Sequence, residues 1–253
     1  MKKIFFSLRP EDDPRIIMPL EPGTQFVPQW YRDGEKYIHT ETGLKDPKNP
    51  EDRSGGMKSC VPFLDAMISG YIQPLSIAIR ITKNNGKDPV EWEYVEKDIS
   101  GNYVRINADF NIMNERFGDL GHTIPRPTGH SDNHLAWSGK WGWGTPKGWS
   151  VLVCHPLNRY DLPFTVMNGI MESDRFQGAG NVPFFIKKDF VGVIEKGTPM
   201  FQVIPIKRAK WLGYVQRKIV NAKSLFMSNQ ARAVQYGFYR DKMWEKKVYD
   251  MEK

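Results

Sequence analysis

The stretch that decides the fold begins Cys154-His155-Pro156-Leu157-Asn158-Arg159 and passes through the apolar residues of 162–168. It continues as Gly169-Ile170-Met171-Glu172-Ser173-Asp174-Arg175-Phe176-Gln177-Gly178 and then the apolar run of 182–186. It closes with Gly192-Val193-Ile194-Glu195-Lys196-Gly197-Thr198-Pro199-Met200-Phe201-Gln202-Val203-Ile204-Pro205-Ile206. Short apolar runs split by Gly, Pro and Asn/Asp clusters are the signature of strands joined by turns. A strand runs into an acidic turn closed by Gly178. Two more strands follow, and Glu195-Lys196-Gly197 turns into the last. Glycine in such turns supplies positive φ. The unit reads as antiparallel β, with an acidic turn that could face a ligand.

The order of these pieces resembles the β-clip fold of dUTPases and dCTP deaminases. In that family a phosphate-binding loop precedes a strand, an acidic Gly-to-Gly turn and a final strand bearing a glutamine. Gly169, Ile170, Met171, Glu172, Asp174, Phe176 and Gly178 match the turn with one extra residue, and Gly197, Met200, Gln202 and Val203 match the last strand. The resemblance implies that Glu172 orients or activates a water, that Asp174 supports it, and that Arg159 meets an anion. Those three are the candidate catalytic residues. The same carboxylates also read as solvated groups capping their own turn. At the phosphate-loop position this chain has His155-Pro156-Leu157-Asn158-Arg159, where proline removes a backbone donor. The chain as a whole also resembles an uncharacterised family of bacterial and tailed-phage proteins. The phrases that carry it are Cys60-Val61-Pro62-Phe63-Leu64-Asp65-Ala66, Gly148-Trp149-Ser150 with Pro156-Leu157-Asn158-Arg159, and Gly197-Thr198-Pro199 with Pro205-Ile206-Lys207-Arg208. That resemblance implies a phage source and no particular activity.

Working outward, residues 4–8 and 16–20 read as strands and the polar residues 32–56 as a long loop. Pro62 early and Gly70 late frame one short helix. In 76–82 Ile77, Ile79 and Ile81 alternate onto one face; Asn84-Asn85-Gly86-Lys87-Asp88 turns the chain, and 90–95 returns as the second arm of a hairpin. Trp137, Trp141, Trp143 and Trp149 are spaced by Gly139, Gly142, Gly144 and Gly148, which reads as a glycine-spaced hairpin. Further strands are expected at 149–154, 163–171, 182–187, 191–195 and 200–206. One amphipathic helix is expected from about 222 to 246, with Ser224 as its N-cap.

The chain has 253 residues, 40% hydrophobic and 13% aromatic, too rich for a disordered protein and long enough for a real core. No apolar run approaches the roughly 18–20 residues of a membrane span. The apolar run before Arg9 and Pro10 is too short for a signal peptide. Two cysteines, Cys60 and Cys154, point to a reducing compartment and therefore to the cytoplasm, which for a phage protein means host cytoplasm or virion. The net charge of +7 is unevenly placed. Residues 207–253 hold twelve basic and four acidic residues, net +8; the rest holds 24 basic and 25 acidic, net −1. A near-neutral body and a basic, aromatic tail suggest that the tail meets a protein partner, a neighbouring subunit or the chain's own body; nucleic acid and a merely solvated helix face are the other readings. Deleting 222–253 is expected to leave the body folded and weaken a partner contact.

Two other constellations carry chemistry. His130, Asp132 and His134 put two imidazoles and a carboxylate within five residues and, with His122 or His155, could take a divalent metal. They also read as hydrogen-bonded loop groups. Trp141 and Trp143 could form a stacking platform and, with Asn158 and Gln202, make up the candidate ligand-binding set; the alternative is that the indoles cover the sheet. Cys154 and His155 point to opposite faces of a strand and do not pair.

These readings combine into a mainly β protein. An antiparallel sandwich or barrel of residues 1–210 contains the β-clip-like unit at 150–206 and precedes the basic helical tail, 211–253. Two functional classes follow. One is a non-catalytic binding or assembly protein, homo-oligomeric, such as a phage structural or accessory component. The other is a hydrolase or deaminase-like enzyme acting on nucleotides or a small metabolite.

Overall fold

Strand Trp149–Cys154 forms where the sequence places it and lies within a five-stranded antiparallel sheet. Pro199–Lys207 flanks it on one side and Gly169–Met171 on the other, and Tyr71–Pro74 and Glu21–Pro22 extend the sheet beyond 199–207. The computed structural model describes residues 2–35, 37–38, 54–84, 87–107, 110–116, 125–215 and 239–252. Within them a second antiparallel sheet orders Phe164–Val166, Asn181–Ile186, Leu135–Ser138 and Met113–Glu115. A third orders Gly192–Ile194, Ala78–Asn84, Lys87–Lys97 and Tyr103–Arg105. Two-stranded ribbons join Phe5–Leu8 to Trp141–Gly144 and Tyr37–Ile38 to Ser54–Gly55. None of these sheets closes into a barrel. The protein is mainly β with several antiparallel sheets, as its sequence implies.

The three larger sheets share one core. Strand 149–154 contributes Val151, strand 199–207 Phe201 and Val203, strand 135–138 Trp137, strand 181–186 Phe184, and strand 78–84 Ile79 and Ile81. Ile77, Ile79 and Ile81 are all buried, so their alternation does mark an inward face. Trp137 is fully buried and lies parallel to Phe184, ring centroids 4.0 Å apart.

Helix Val61–Ile68 has Pro62 in its first turn, where a missing N–H costs nothing, and ends just before Gly70. Gly70 has φ +67, and a Cβ there would lie 2.2 Å from the Val203 carbonyl oxygen. Gly197 likewise takes φ +85 in the turn before the last strand. Gly178 does not have positive φ; it lies against the Phe176 ring instead.

Four local expectations change. Residues 16–20 are not a strand. Asp13 accepts the Arg15 N–H and closes a turn, and Met18 is bonded by Ser76, Gln73 and Trp141 side chains rather than by a ladder. The stretch 163–171 breaks in two, because 164–166 pairs with 181–186 while 169–171 pairs with 149–154. The tryptophan segment is not a hairpin: 135–138 pairs with 181–186, and 141–144 with 5–8. Its glycines permit close approach instead, since a Cβ on Gly139 would lie 2.3 Å from the Gly180 oxygen and one on Gly142 2.5 Å from that of Gln177.

The fourth concerns the tail. Most of the helix expected over 222–246 lies outside the described residues. Within them one π-helical turn, Tyr239–Met243, is followed by a segment without helix or strand. That segment docks on the body. Trp244 Nε1 donates to Asp65 Oδ2 at 2.8 Å, Lys247 pairs with the same oxygen at 2.7 Å, and the Tyr249 ring meets that of Tyr71 edge-on. No helix among the described residues is long and apolar enough to cross a membrane.

Candidate functional site

The acidic turn follows strand 169–171. The N–H groups of Arg175 and Phe176 both donate to the Glu172 carbonyl and close it. Ser173 is buried and its hydroxyl meets Thr145 Oγ1 at 2.7 Å. The Glu172 side chain is exposed to solvent. Asp174 points inward, its side chain only 4% exposed. Arg208 Nη1 donates to Oδ1 at 2.9 Å, Nη2 to Oδ2, and the Gly148 N–H to Oδ2 at 2.8 Å. The Arg208 hydrogen bond, reinforced by that from Gly148, holds the Asp174 carboxyl down at about 2. Arg208 also donates to the Trp149 carbonyl. Asp174 thus ties the acidic turn to the ends of strands 149–154 and 199–207.

Arg159 is committed elsewhere. Its guanidinium meets Asp161 through Nε at 2.9 Å and Nη2 at 2.8 Å, and Nη1 donates to the Phe26 carbonyl. Burial works to raise the Asp161 carboxyl, but the Arg159 hydrogen bond and charge outweigh it and hold it below its ordinary value.

The amides of the candidate ligand set bind backbone. Asn158, at φ +61, donates to the Phe63 carbonyl at 3.0 Å. Gln202 is fully buried; its Oε1 accepts the Leu157 N–H at 2.8 Å, and its Nε2 donates to the carbonyls of Ala66 at 3.0 Å and Ser69 at 2.5 Å. Together they fasten the 155–159 turn to helix 61–68. His155 braces the turn itself and ties it to strand 164–166: Nε2 lies 3.1 Å from the Arg159 carbonyl and Nδ1 faces the Val166 N–H. That pattern fits the neutral ring protonated at Nε2, and burial lowers its pKa. Trp143 is buried against Phe201, and Trp141 donates to the Met18 carbonyl at 2.9 Å. Neither presents an open indole face as a pair. Cys154 is buried, its thiol pushed up to about 11 by burial.

The candidate metal residues separate. His130 Nε2 meets Thr165 Oγ1 at 2.8 Å and Nδ1 the Thr128 carbonyl at 3.2 Å. Asp132 pairs with Arg126. His134 is buried parallel to Phe185, with neither ring nitrogen hydrogen-bonded, and burial lowers its pKa. His122 lies outside the described residues. Among the described residues no three His, Cys, Asp or Glu side chains gather as a metal site would require.

One concavity does bring two sequence candidates together. An open groove of about 730 Å³ is lined by both His130 and Arg159, with Asp161, Lys187, Asp189 and Glu195 as its other charged groups. Glu172 and Asp174 do not line it. Phe190 and Val193 supply apolar wall beside the edge strand 192–194. Sequence reasoning missed Asp161 and Arg208 as the partners of Arg159 and Asp174. The Arg159-x-Asp161 spacing is a local signal that could have found the first. The second pair is 34 residues apart and has none. No known family, curated protein or solved structure compared with this chain matches it, so its likeness to β-clip proteins rests on the motif residues alone.

Proposed function

We propose that this chain is a non-catalytic binding or assembly protein whose β-clip-like unit uses its polar residues to hold the fold. The observation that carries the reading is the closed Asp174–Arg208–Gly148 arrangement. A carboxylate bonded on both oxygens and held as an anion has little capacity left to position or activate a water. Arg159 is likewise bidentate to Asp161, and Gln202 has both ends satisfied by backbone. Glu172 faces solvent, and the Arg208 guanidinium that feels its charge is already committed to both oxygens of Asp174. The biological setting in this reading is a structural or accessory component of a tailed-phage particle, as the whole-chain resemblance suggests, and self-association is its mode of action.

The test is native mass spectrometry of the full chain, with and without a panel of nucleoside triphosphates and divalent metals. The expected spectrum shows an oligomer whose mass is unchanged by the panel. A stoichiometric nucleotide adduct that disappears in Glu172→Gln would overturn the non-catalytic part of the reading.

A further inference from the structure

Beyond Arg208 the chain leaves the five-stranded sheet. Residues 209–215 form no helix or strand, and Trp211, Leu212, Tyr214 and Val215 are 91, 92, 83 and 89% exposed. Isolated exposed apolar residues are ordinary on a protein surface. Four large ones within five positions are not, and a contiguous patch of that kind marks an interaction surface. The run follows Lys207 and Lys210, which form no ion pair among the described residues.

The groove of 730 Å³ offers a matching receptor. Strand 192–194 pairs with 78–84 on one side and, among the described residues, with no strand on the other. An edge strand of that kind leaves alternate N–H and C=O groups free to bond an added extended segment. Leu162, Phe190 and Val193 provide apolar wall beside it, and Asp189, exposed and without an ion pair among the described residues, gives the groove an acidic group to meet a lysine.

The arm is too short to seat its whole apolar run in the groove of its own copy. Pro199 lines the groove and Lys207 ends the same strand, eight steps away. At about 3.3 Å per residue that is about 26 Å. Arg208 is pinned at the far end by Gly148, Trp149 and Asp174. From there a fully extended chain reaches about 11 Å at Trp211 and about 25 Å at Val215. Most of the apolar run would fall short of its own groove.

We infer that residues 209–215 are a docking arm that enters the 192–194 groove of a second copy of this chain. Each arm meets a different surface, the groove, and exchanging the two arms about a twofold axis closes an isologous dimer. The inference rests on the assembly reading above and names the surfaces through which assembly occurs.

The test uses the full chain in two variants, an arm variant (Trp211→Ser, Leu212→Ser, Tyr214→Ser) and a groove variant (Asp189→Lys, Val193→Lys), with oligomeric state followed by light scattering and native mass spectrometry. The expected result is an oligomeric wild type and a dissociation constant raised about tenfold or more in each variant. Mixing the two variants should restore a heterodimer, because one copy keeps its groove and the other its arm. The arm side chains are exposed, so the arm variant decides the matter even if the groove variant fails to fold. An oligomer that survives the arm variant overturns the docking arm alone. A monomeric wild type overturns both the arm and the assembly reading.

Discussion

Both carboxylate oxygens of Asp174 are taken by the guanidinium of Arg208, 34 residues further along the chain. The pair joins the acidic turn to the end of strand 199–207, and the Gly148 N–H adds the turn that precedes strand 149–154. A residue that resembles part of a hydrolytic motif therefore acts as a three-way structural tie. A bidentate Arg–carboxylate bond combines strength with directionality, which suits such a tie.

Gln202 makes the same point in the core. Replacing it with alanine strands the Leu157 N–H and the carbonyls of Ala66 and Ser69. Leaving buried backbone groups unpaired should lower stability by roughly 3 kcal/mol or more, measured by urea unfolding. Gln202→Glu should also be destabilising, since it sets a carboxylate oxygen against two carbonyls. A Gln202→Ala variant as stable as wild type would show that the buried amide is dispensable.

Gly70 tests the packing of the helix onto the sheet. Alanine there needs an unfavourable positive φ and drives its methyl into the Val203 carbonyl, 2.2 Å away. A loss of about 3 kcal/mol is expected from the two effects together. Gly148 has φ +85 but open space around its Cβ position, so Gly148→Ala should cost about 1–2 kcal/mol, the left-handed penalty alone. Equal losses at the two positions would contradict the steric explanation.

The C-terminal segment is expected to contribute to the stability of the body. Trp244 donates to Asp65, which sits on helix 61–68, and Tyr249 packs on Tyr71. Trp244→Ala should lower stability by about 1–2 kcal/mol, read from the urea midpoint. An unchanged midpoint would restore the simpler view of a tail independent of the body.

His134 predicts an acid-sensitive core. Its ring is buried on Phe185 with no hydrogen-bond partner, and Arg116 adds a repelling charge. The folded pKa lies below the ordinary 6.5, so the unfolded chain binds the proton more readily. The proton-linked cost of His134 is therefore absent above about pH 6.5, and stability falls as pH drops from there toward its folded value. His134→Phe should weaken that fall in a pH series of thermal midpoints. His155, also lowered by burial, would leave part of the slope in place.

Much of the fold was legible because its signals are local. Pro62 and Gly70 frame helix 61–68, the turn signal in the sequence at 84–88 falls where strands 78–84 and 87–97 meet, and strand 149–154 has the boundaries its apolar run implies. Strand partners were less legible. Nothing in Trp137 or Trp143 says that one strand pairs with 181–186 and the other with 5–8, because pairing over such separations is decided by the whole core. The strand expected at 16–20 failed for a similar reason: side chains of Ser76, Gln73 and Trp141, far along the chain, satisfy Met18. At the site, motif spacing identified Asp174, Arg159 and Gln202 as special. Their roles depend on Arg208, Asp161 and helix 61–68, which motif spacing alone did not reveal.

The most direct measurement is the unfolding midpoint of Asp174→Asn against wild type, at neutral pH and down an acid series. As a structural tie, Asp174 is stabilising while ionised: its folded value of about 2 lies below the ordinary 3.8, so its contribution is complete above about pH 4 and is lost as pH falls toward 2. The variant should unfold earlier than wild type at neutral pH, and the gap should narrow between pH 4 and pH 2. A variant as stable as wild type at neutral pH, or more stable, as often follows when a catalytic carboxylate is removed, would contradict the structural role of Asp174.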